Sequence, residues 1–342
     1  MCYVDDPLAA IMGTDEDREL FTAIIVLVWE ALGFQLAYSK GQQGHNVTWI
    51  GGTLTVEAEG VRAKVKQSII DDICDDIARL TKQNITTLTE LHSLVGKLNH
   101  AAGLIIYIRP YLEPLWGALY SDGVSGAPRN TIWTKQIITS LTWFQALFTR
   151  DKPLERFFRL DAYSGTGTAV EIGTDASPWG MGGWLTISGV ITYFFSCPVD
   201  EGDVRKLGLI YGDSSSQQIL ECLALLIAVD LWAFLWKEDR IQLKISGDNV
   251  TALTLLIKLR PDKDCPAMGI IARELALRLA ELSFPPDAIH TPGVAHVIAD
   301  RLSRVHAPGG TGVVDTSIHF ALEHAKLSIP AVRDDQWYRA YK

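Results

Sequence analysis

AVEIGTDASPWGMGGWLTIS, residues 169–188, settles the fold class of this 342-residue chain. Val170-Glu171-Ile172-Gly173-Thr174 reads as a strand core, GGWLTIS (182–188) as a second strand and GVITYFFS (189–196) as a third. SSSQQ (214–218) then opens a helix over 217–236, with Ser215 and Gln218 spaced as a capping box. IQLKISGDN (241–249) is a strand running into a helix over 249–259, followed by a helix at 267–282, DAIHTPG (287–293) and a short helix at 295–304. Strands in succession, then alternating helix and strand, give an α/β (α+β) pattern with a mixed sheet.

Upstream, acidic Asp15, Glu16 and Asp17 start a helix over the apolar run at 20–32, which Gly33 ends. FQLAYS (34–39) and NVTWIGGTLTV (46–56) read as strands around a Gly41–Gly44 turn. A helical block follows. Val65, Ile69, Ile73 and Ile77 recur at helical spacing in 61–80, another helix begins near Thr89 and His92, and TIWTKQIITSLTWFQALF (131–148) is amphipathic. SGTGT (164–168) is a linker-like stretch, and 306–342 is a tail without a readable motif.

Composition is that of an ordinary folded protein, 48% hydrophobic and 21% charged. The net charge of -9 argues mildly against a protein that grips nucleic acid through a large basic face, without excluding a nuclease whose carboxylates are neutralised by metal. Cys2, Cys74, Cys197, Cys222 and Cys265 form no C-x-x-C pair, which points to a reducing compartment and no zinc site. LFTAIIVLVW (20–29) is too short to span a membrane, and LECLALLIAVDLWAFLW (220–236) carries Glu221 and Asp230. Both are expected as buried helices, with no membrane partner. Asp5 and Asp6 exclude a signal peptide at the N-terminus.

Four acids stand where acids are locally odd. Asp175 follows a strand core, Glu221 lies near the start of an apolar helix, Asp248 ends the strand LKIS, and Asp300 sits in HVIADRLSR (296–304). Each has a bland alternative. Helix-start glutamates suit the macrodipole, strand-end aspartates suit turns, and Asp300 could pair with Arg301 or Arg304. Several buried carboxylates together are costly without a cation, so the set is more telling than its members.

GTDASPWGMGGWL (173–185), ECLALL (221–226), SGDN (246–249) and HTPGVAHVIADRLSR (290–304) together resemble the four motifs of the ribonuclease H domain of retroelement polyproteins, over about 165–305. His290, Pro292, Gly293, Ala299, Asp300, Leu302, Ser303 and Arg304 all fall in family places, whereas His296 stands where the family usually has Asn. The resemblance implies that Asp175, Glu221, Asp248 and Asp300 hold two Mg2+ ions, with Mn2+ as a substitute. It also implies endonucleolytic hydrolysis of the RNA strand of an RNA–DNA hybrid. Two hard cations about 3.5–4 Å apart suit that reaction, carboxylate oxygens suit magnesium, and the 2′-hydroxyl marks RNA. Gly182 and Gly183 read either as a close backbone approach to substrate or as a strand bulge. His290 reads as a loop hydrogen bond or an aid to product release.

The first half then reads as a reverse-transcriptase remnant. Tyr3-Val4-Asp5-Asp6 resembles the family's palm hairpin, which makes Asp5 and Asp6 metal ligands, although an exposed acidic turn is an equal reading. Lys40 occupies the place of a pyrophosphate-assisting lysine, and Trp49-Ile50-Gly51-Gly52 resembles the primer grip, so Lys40, Trp49 and Gly51 are expected to contact a nucleic-acid template–primer. The organisation the resemblance implies is partial palm over 1–57, helical thumb and connection over 58–160, a ribonuclease H-like domain with a mixed five-stranded sheet flanked by helices over 165–305, and tail over 306–342. Fingers and a further palm aspartate would lie before Met1, so polymerase function is expected to be incomplete, with a missing polymerase part or self-association as partner. Arg62, Lys64 and Lys66 either touch phosphates or form a solvated helix face, and Trp116, Trp133 and Trp143 are expected in the core. Retroelement origin implies an intracellular site, cytoplasm (in virus-like particles) or nucleus. The rival from another class is a catalytically inactive remnant that binds nucleic acid or a partner.

Overall fold

In the computed structural model, which describes residues 2–3, 6–120, 126–149, 154–160, 164–238, 241–262, 264–280, 286–309 and 312–338, β1 (Cys2–Tyr3) pairs antiparallel with β2 (Asp6–Pro7). α1 (Asp15–Ala31) begins with a capping box in which Thr14 Oγ1 accepts the Asp17 N–H and Asp17 accepts the Thr14 N–H. The expectation that LFTAIIVLVW is buried is corrected here: no residue of α1 is buried, and Leu20, Phe21, Ile24, Leu27 and Val28 are 44–63% exposed. Capping and propensity suffice to form the helix, whereas burial needs a facing surface. FQLAYS is not a strand either. It is irregular up to a 3₁₀ turn over Tyr38–Lys40, where the Tyr38 hydroxyl donates to Glu30.

β3 (Asn46–Trp49), β4 (Gly52–Glu57) and β5 (Gly60–Val65) form an antiparallel meander. Its first turn puts Gly51 at φ +71°, where a Cβ would lie 2.1 Å from His100 Nε2. α2 (Gln67–Leu80) starts after β5, so 61–65 is strand and not the first turn of a helix. Val65 merely extends the isoleucine spacing backwards. Arg62 bridges Glu57 and Glu155 at 2.5 Å each and Lys64 reaches Glu155 at 3.2 Å, so these cations are engaged within the sheet rather than lined along a helix.

β6 (Ile85–Thr87), α3 (Leu88–Leu104), α4 (Glu113–Tyr120), β7 (Thr131–Trp133) and α5 (Ile138–Phe148) follow. β7 pairs with β6, which shortens the helix expected from 131 and puts Trp133 on a strand. Ile73, Ile77, Leu91, Leu94, Leu98, Leu141 and Phe144 are fully buried in one core. Trp116 packs against it, as does Trp143, whose ring stacks on Tyr111 with centroids 3.4 Å apart. β8 (Glu155–Arg159) joins β5 and completes the order β3-β4-β5-β8. A boundary between 57 and 58 would therefore cut the β4–β5 hairpin, which is hydrogen-bonded from Gly52↔Val65 to Glu57↔Gly60.

The second half comprises β9 (Thr168–Ser177), β10 (Gly180–Ile187), β11 (Val190–Pro198), α6 (Glu201–Leu207), α7 (Gln217–Leu231), α8 (Phe234–Glu238), β12 (Ile241–Gly247), α9 (Val250–Lys258), α10 (Pro266–Leu279), β13 (Asp287–His290), α11 (Val297–Ser303), α12 (His319–Leu322) and β14 (Lys326–Leu327). The sheet is mixed, in the order β13-β12-β9-β10-β11-β14. β9, β10 and β11 form an antiparallel meander, while β12 runs parallel to both β9 and β13. α7 is buried from Leu220 to Val229. Ser214–Leu231 is long and apolar enough to cross a membrane by length and composition, and 61% of it lies inside the protein. The capping box expected of Ser215 and Gln218 does not form. Asp213 accepts the Ser215 N–H at 2.8 Å, and the Gln218 amide donates to Thr251 Oγ1.

The sheet has six strands because the tail supplies the sixth, β14, parallel to β11. Trp337 and Tyr338 are 7% and 1% exposed in the core of this half. Arg333 ties the tail down through an ion pair to fully buried Asp203 at 2.7 Å. Arg278 lies over the Trp337 ring, paired with Asp230 at 2.7 Å and Glu274 at 2.6 Å. The segment after 305 is thus part of the second half rather than an appendage. Its partners lie far away in sequence, which is why no local pattern betrays it.

Candidate metal centre

β12 runs parallel to β9 with Ser246 opposite Gly173. Two residues further along each strand line stand Asp248 and Asp175, so two carboxylates from distant sequence positions arrive side by side at the carboxyl end of the sheet. Ligand sites of open α/β sheets form at such strand ends. α7 crosses β9 here and contributes Glu221 from its second turn. Asp175, Glu221 and Asp248 bring ligand oxygens within 4.8 Å of one another, the first two only 6% exposed and Asp248 half-buried.

Burial makes this cluster electrostatically uncomfortable. It pushes the Asp175 carboxyl up to about 6, with Asp248 and Asp300 adding to the rise and the Ser303 hydroxyl and Arg304 opposing it. Glu221 is pushed up to about 9, first by burial and then by Asp175, against hydrogen bonds from Gln217 and the Ala176 backbone. Hard oxygen donors with uncompensated charge fit a divalent cation, which would hold the ionised forms in place.

Both carboxyls titrate higher in the fold than their ordinary values of 3.8 and 4.5, so the folded state holds protons that the unfolded chain has released. The stability they contribute is full below about pH 4 and is lost as pH climbs through about 6 and about 9. For Asp175 alone that amounts to about 3 kcal/mol. Thermal melts in EDTA should therefore show a falling melting temperature from pH 5 to pH 9, and Mg2+ or Mn2+ should abolish the fall. A flat profile in EDTA would contradict this electrostatic picture.

Asp300, the fourth expected ligand, lies on α11 outside the three carboxylates gathered within 4.8 Å, yet near enough to raise the Asp175 carboxyl, and it pairs with Arg304, whose Nε donates to its Oδ1 at 2.6 Å. α11 itself is fastened to β9 at both ends. His296 Nε2 lies 2.9 Å from the Thr174 carbonyl, so that nitrogen carries the proton. Ser303 Oγ lies 2.8 Å from Asp175 Oδ2 and 2.9 Å from the Asp300 carbonyl. The departure at His296 therefore still makes a buried contact one residue from Asp175, with the ring only 3% exposed. A Cβ on Gly182 would meet Leu302 and Ser303 at 2.4–2.5 Å, and one on Gly183 would meet Phe195 at 2.6 Å. These glycines let a helix and a ring approach the sheet; the register runs unbroken here, Gly182 facing Asp175, with no bulge.

His290 ends β13 beside Gly247 and places Nε2 3.1 Å from the Asp248 carbonyl, at the rim of the triad. Lys40, Trp49 and Gly51 belong to the other sheet and its flank and are not among the residues gathered here. Asp6 lies on β2, and Asp5 falls outside the described residues. Two side chains that touch the triad were not singled out from sequence as site residues. They are Ser303, within the last motif, and Gln217, one helical turn before Glu221.

No protein-family model and no curated protein matches the chain. Among solved structures it is similar to RNase H1 from the halophilic archaeon Halobacterium salinarum NRC-1, at 15% identity and a TM-score of 0.31, over 42% of this chain and 98% of that one. It is also similar to the foamy viral protease-reverse transcriptase in complex with dsDNA, at 16% identity and a TM-score of 0.33, over 82% of this chain and 52% of that one. The same viral protein in complex with RNA/DNA hybrid gives 12% identity, a TM-score of 0.29, and coverage of 89% and 58%. This chain thus spans little more than half the length of those two viral chains.

Proposed function

We propose that this chain is a divalent-metal-dependent ribonuclease that hydrolyses the RNA strand of RNA–DNA hybrids. One observation carries the reading: carboxylates from a strand, a helix and a second strand end converge within 4.8 Å, two of them buried. Asp175, Glu221 and Asp248 would hold Mg2+ or Mn2+, with Asp300 joining them once it parts from Arg304. When bound, such ions activate water and stabilise the leaving oxygen of a phosphodiester. The chain's own residues do the rest. Ser303 fixes one oxygen of Asp175, His296 and Gly182 seat the helix that carries Asp300, and His290 lines the rim where a product phosphate departs.

The retroelement origin, and a reading of residues 1–57 as partial palm and 58–160 as thumb and connection that contact a template–primer through Lys40, Trp49 and Gly51, rest on the sequence motifs. The test is direct. A hybrid labelled on its RNA strand should be cut internally in Mg2+ and left intact in EDTA, with single-stranded RNA and duplex DNA untouched. No cleavage in either Mg2+ or Mn2+ would overturn the proposal. Hybrid binding without cleavage would then favour the non-catalytic remnant.

A further inference from the structure

Gln217 opens α7 about one turn ahead of Glu221, half-buried against β9. Its amide nitrogen lies 2.6 Å from the Ala176 carbonyl and 2.8 Å from Glu221 Oε1. A side-chain amide has two N–H donors, and both are engaged here. One grips the backbone of the strand that carries Asp175, and the other grips the carboxylate. The donor is neutral, so it orients Glu221 without cancelling its charge. Arg304 does the opposite at Asp300, where a guanidinium competes with any cation for the same oxygens. The adjacent Gln218 has identical chemistry but spends its amide on Thr251, 2.8 Å away and outside the cluster.

We propose that Gln217 is a positioning residue, which holds Glu221 against β9 in the orientation that binds a divalent cation. The inference rests on the metal-dependent reading above. A direct grip on the substrate is the competing role for such a side chain, and with both donors already engaged the geometry favours the ligand.

Calorimetric titration of Mn2+ into the wild-type chain, Gln217→Met and Gln218→Met tests this. Gln217→Met should weaken Mn2+ binding about 10–100-fold, the usual effect of losing a partner that orients a ligand. Gln218→Met should leave it unchanged. Melting temperature in EDTA should be no lower for Gln217→Met than for Gln218→Met, and hybrid affinity in EDTA should equal wild type. If Gln217→Met does not fold, Gln217→Ala carries the same expectation. Equal Mn2+ affinity in wild type and Gln217→Met overturns the proposal and leaves the hydrolase reading standing. Weakened hybrid binding in EDTA, or a specific loss of thermal stability, also overturns it, in favour of a substrate contact or a packing role. A wild-type chain that binds no Mn2+ overturns the hydrolase reading, and this proposal with it.

Discussion

Asp175→Asn is expected to abolish RNA cleavage while making the metal-free protein more heat-stable at pH 8. The two effects have one cause. At pH 8 Asp175, with its carboxyl pushed up to about 6, is held ionised in a buried site beside Asp248 and Asp300. Asparagine has the same shape, still offers the Ser303 hydroxyl an acceptor, and carries no charge. Its neutrality also relieves Glu221, for which Asp175 is the largest upward influence after burial. Losing a ligand to a cation that stabilises the transition state by several kcal/mol should slow cleavage by on the order of 10³-fold or more. Gel assays of the RNA strand and melts in EDTA read the two arms. Slower cleavage with a lower melting temperature would mean that Asp175 serves the fold, and the metal reading would lose its electrostatic basis.

Arg333→Met should cost about 3–5 kcal/mol of stability, the usual penalty for stranding one member of a buried ion pair. Asp203 is fully buried and Arg333 is 3% exposed. The guanidinium meets Asp203 with Nε at 2.8 and 2.9 Å and also donates from Nη2 to the Pro198 carbonyl at 2.7 Å. The Tyr338 hydroxyl donates to the same carboxylate at 2.8 Å. Burial drives the Asp203 carboxyl upward, and Arg333 is the main influence holding it down. Without Arg333 the acid must take up a proton or pull the tail out of the core. Urea unfolding should show the loss, and Arg333→Met/Asp203→Asn should recover part of it by removing the stranded charge. If the double variant is no more stable than the single one, charge is not what fastens the tail.

The sheet that carries the site was legible in the sequence because its signals are local. Val170 to Thr174 reads as strand without knowing its neighbours, and acids set beside apolar strand cores stand out by type. Misreadings arose where a local signal had two meanings. Val65 continued an isoleucine period across a strand–helix junction, and the apolar residues of α1 implied a burial that depends on another surface. Two features were out of reach for a different reason. Arg333 and Trp337 find their partners at Asp203 and Asp230, more than a hundred residues earlier, so no window of sequence contains the pattern. Gln217 is uncharged and ordinary for the start of a helix, and only the path of β9 past its amide gives it a task.

The anchored tail has a consequence for how the protein is made. A ribosome delivers β9, β12 and α7, with all three clustered carboxylates, well before it delivers Arg333, Trp337 and Tyr338. Until then Asp203 has no guanidinium and β11 has one unpaired edge, so the nascent half stays open to chaperones or to stray strands. Completion of the sheet therefore waits on residues 326–338, and a translation product stalled before them would carry every residue of the acidic triad on a sheet without its sixth strand.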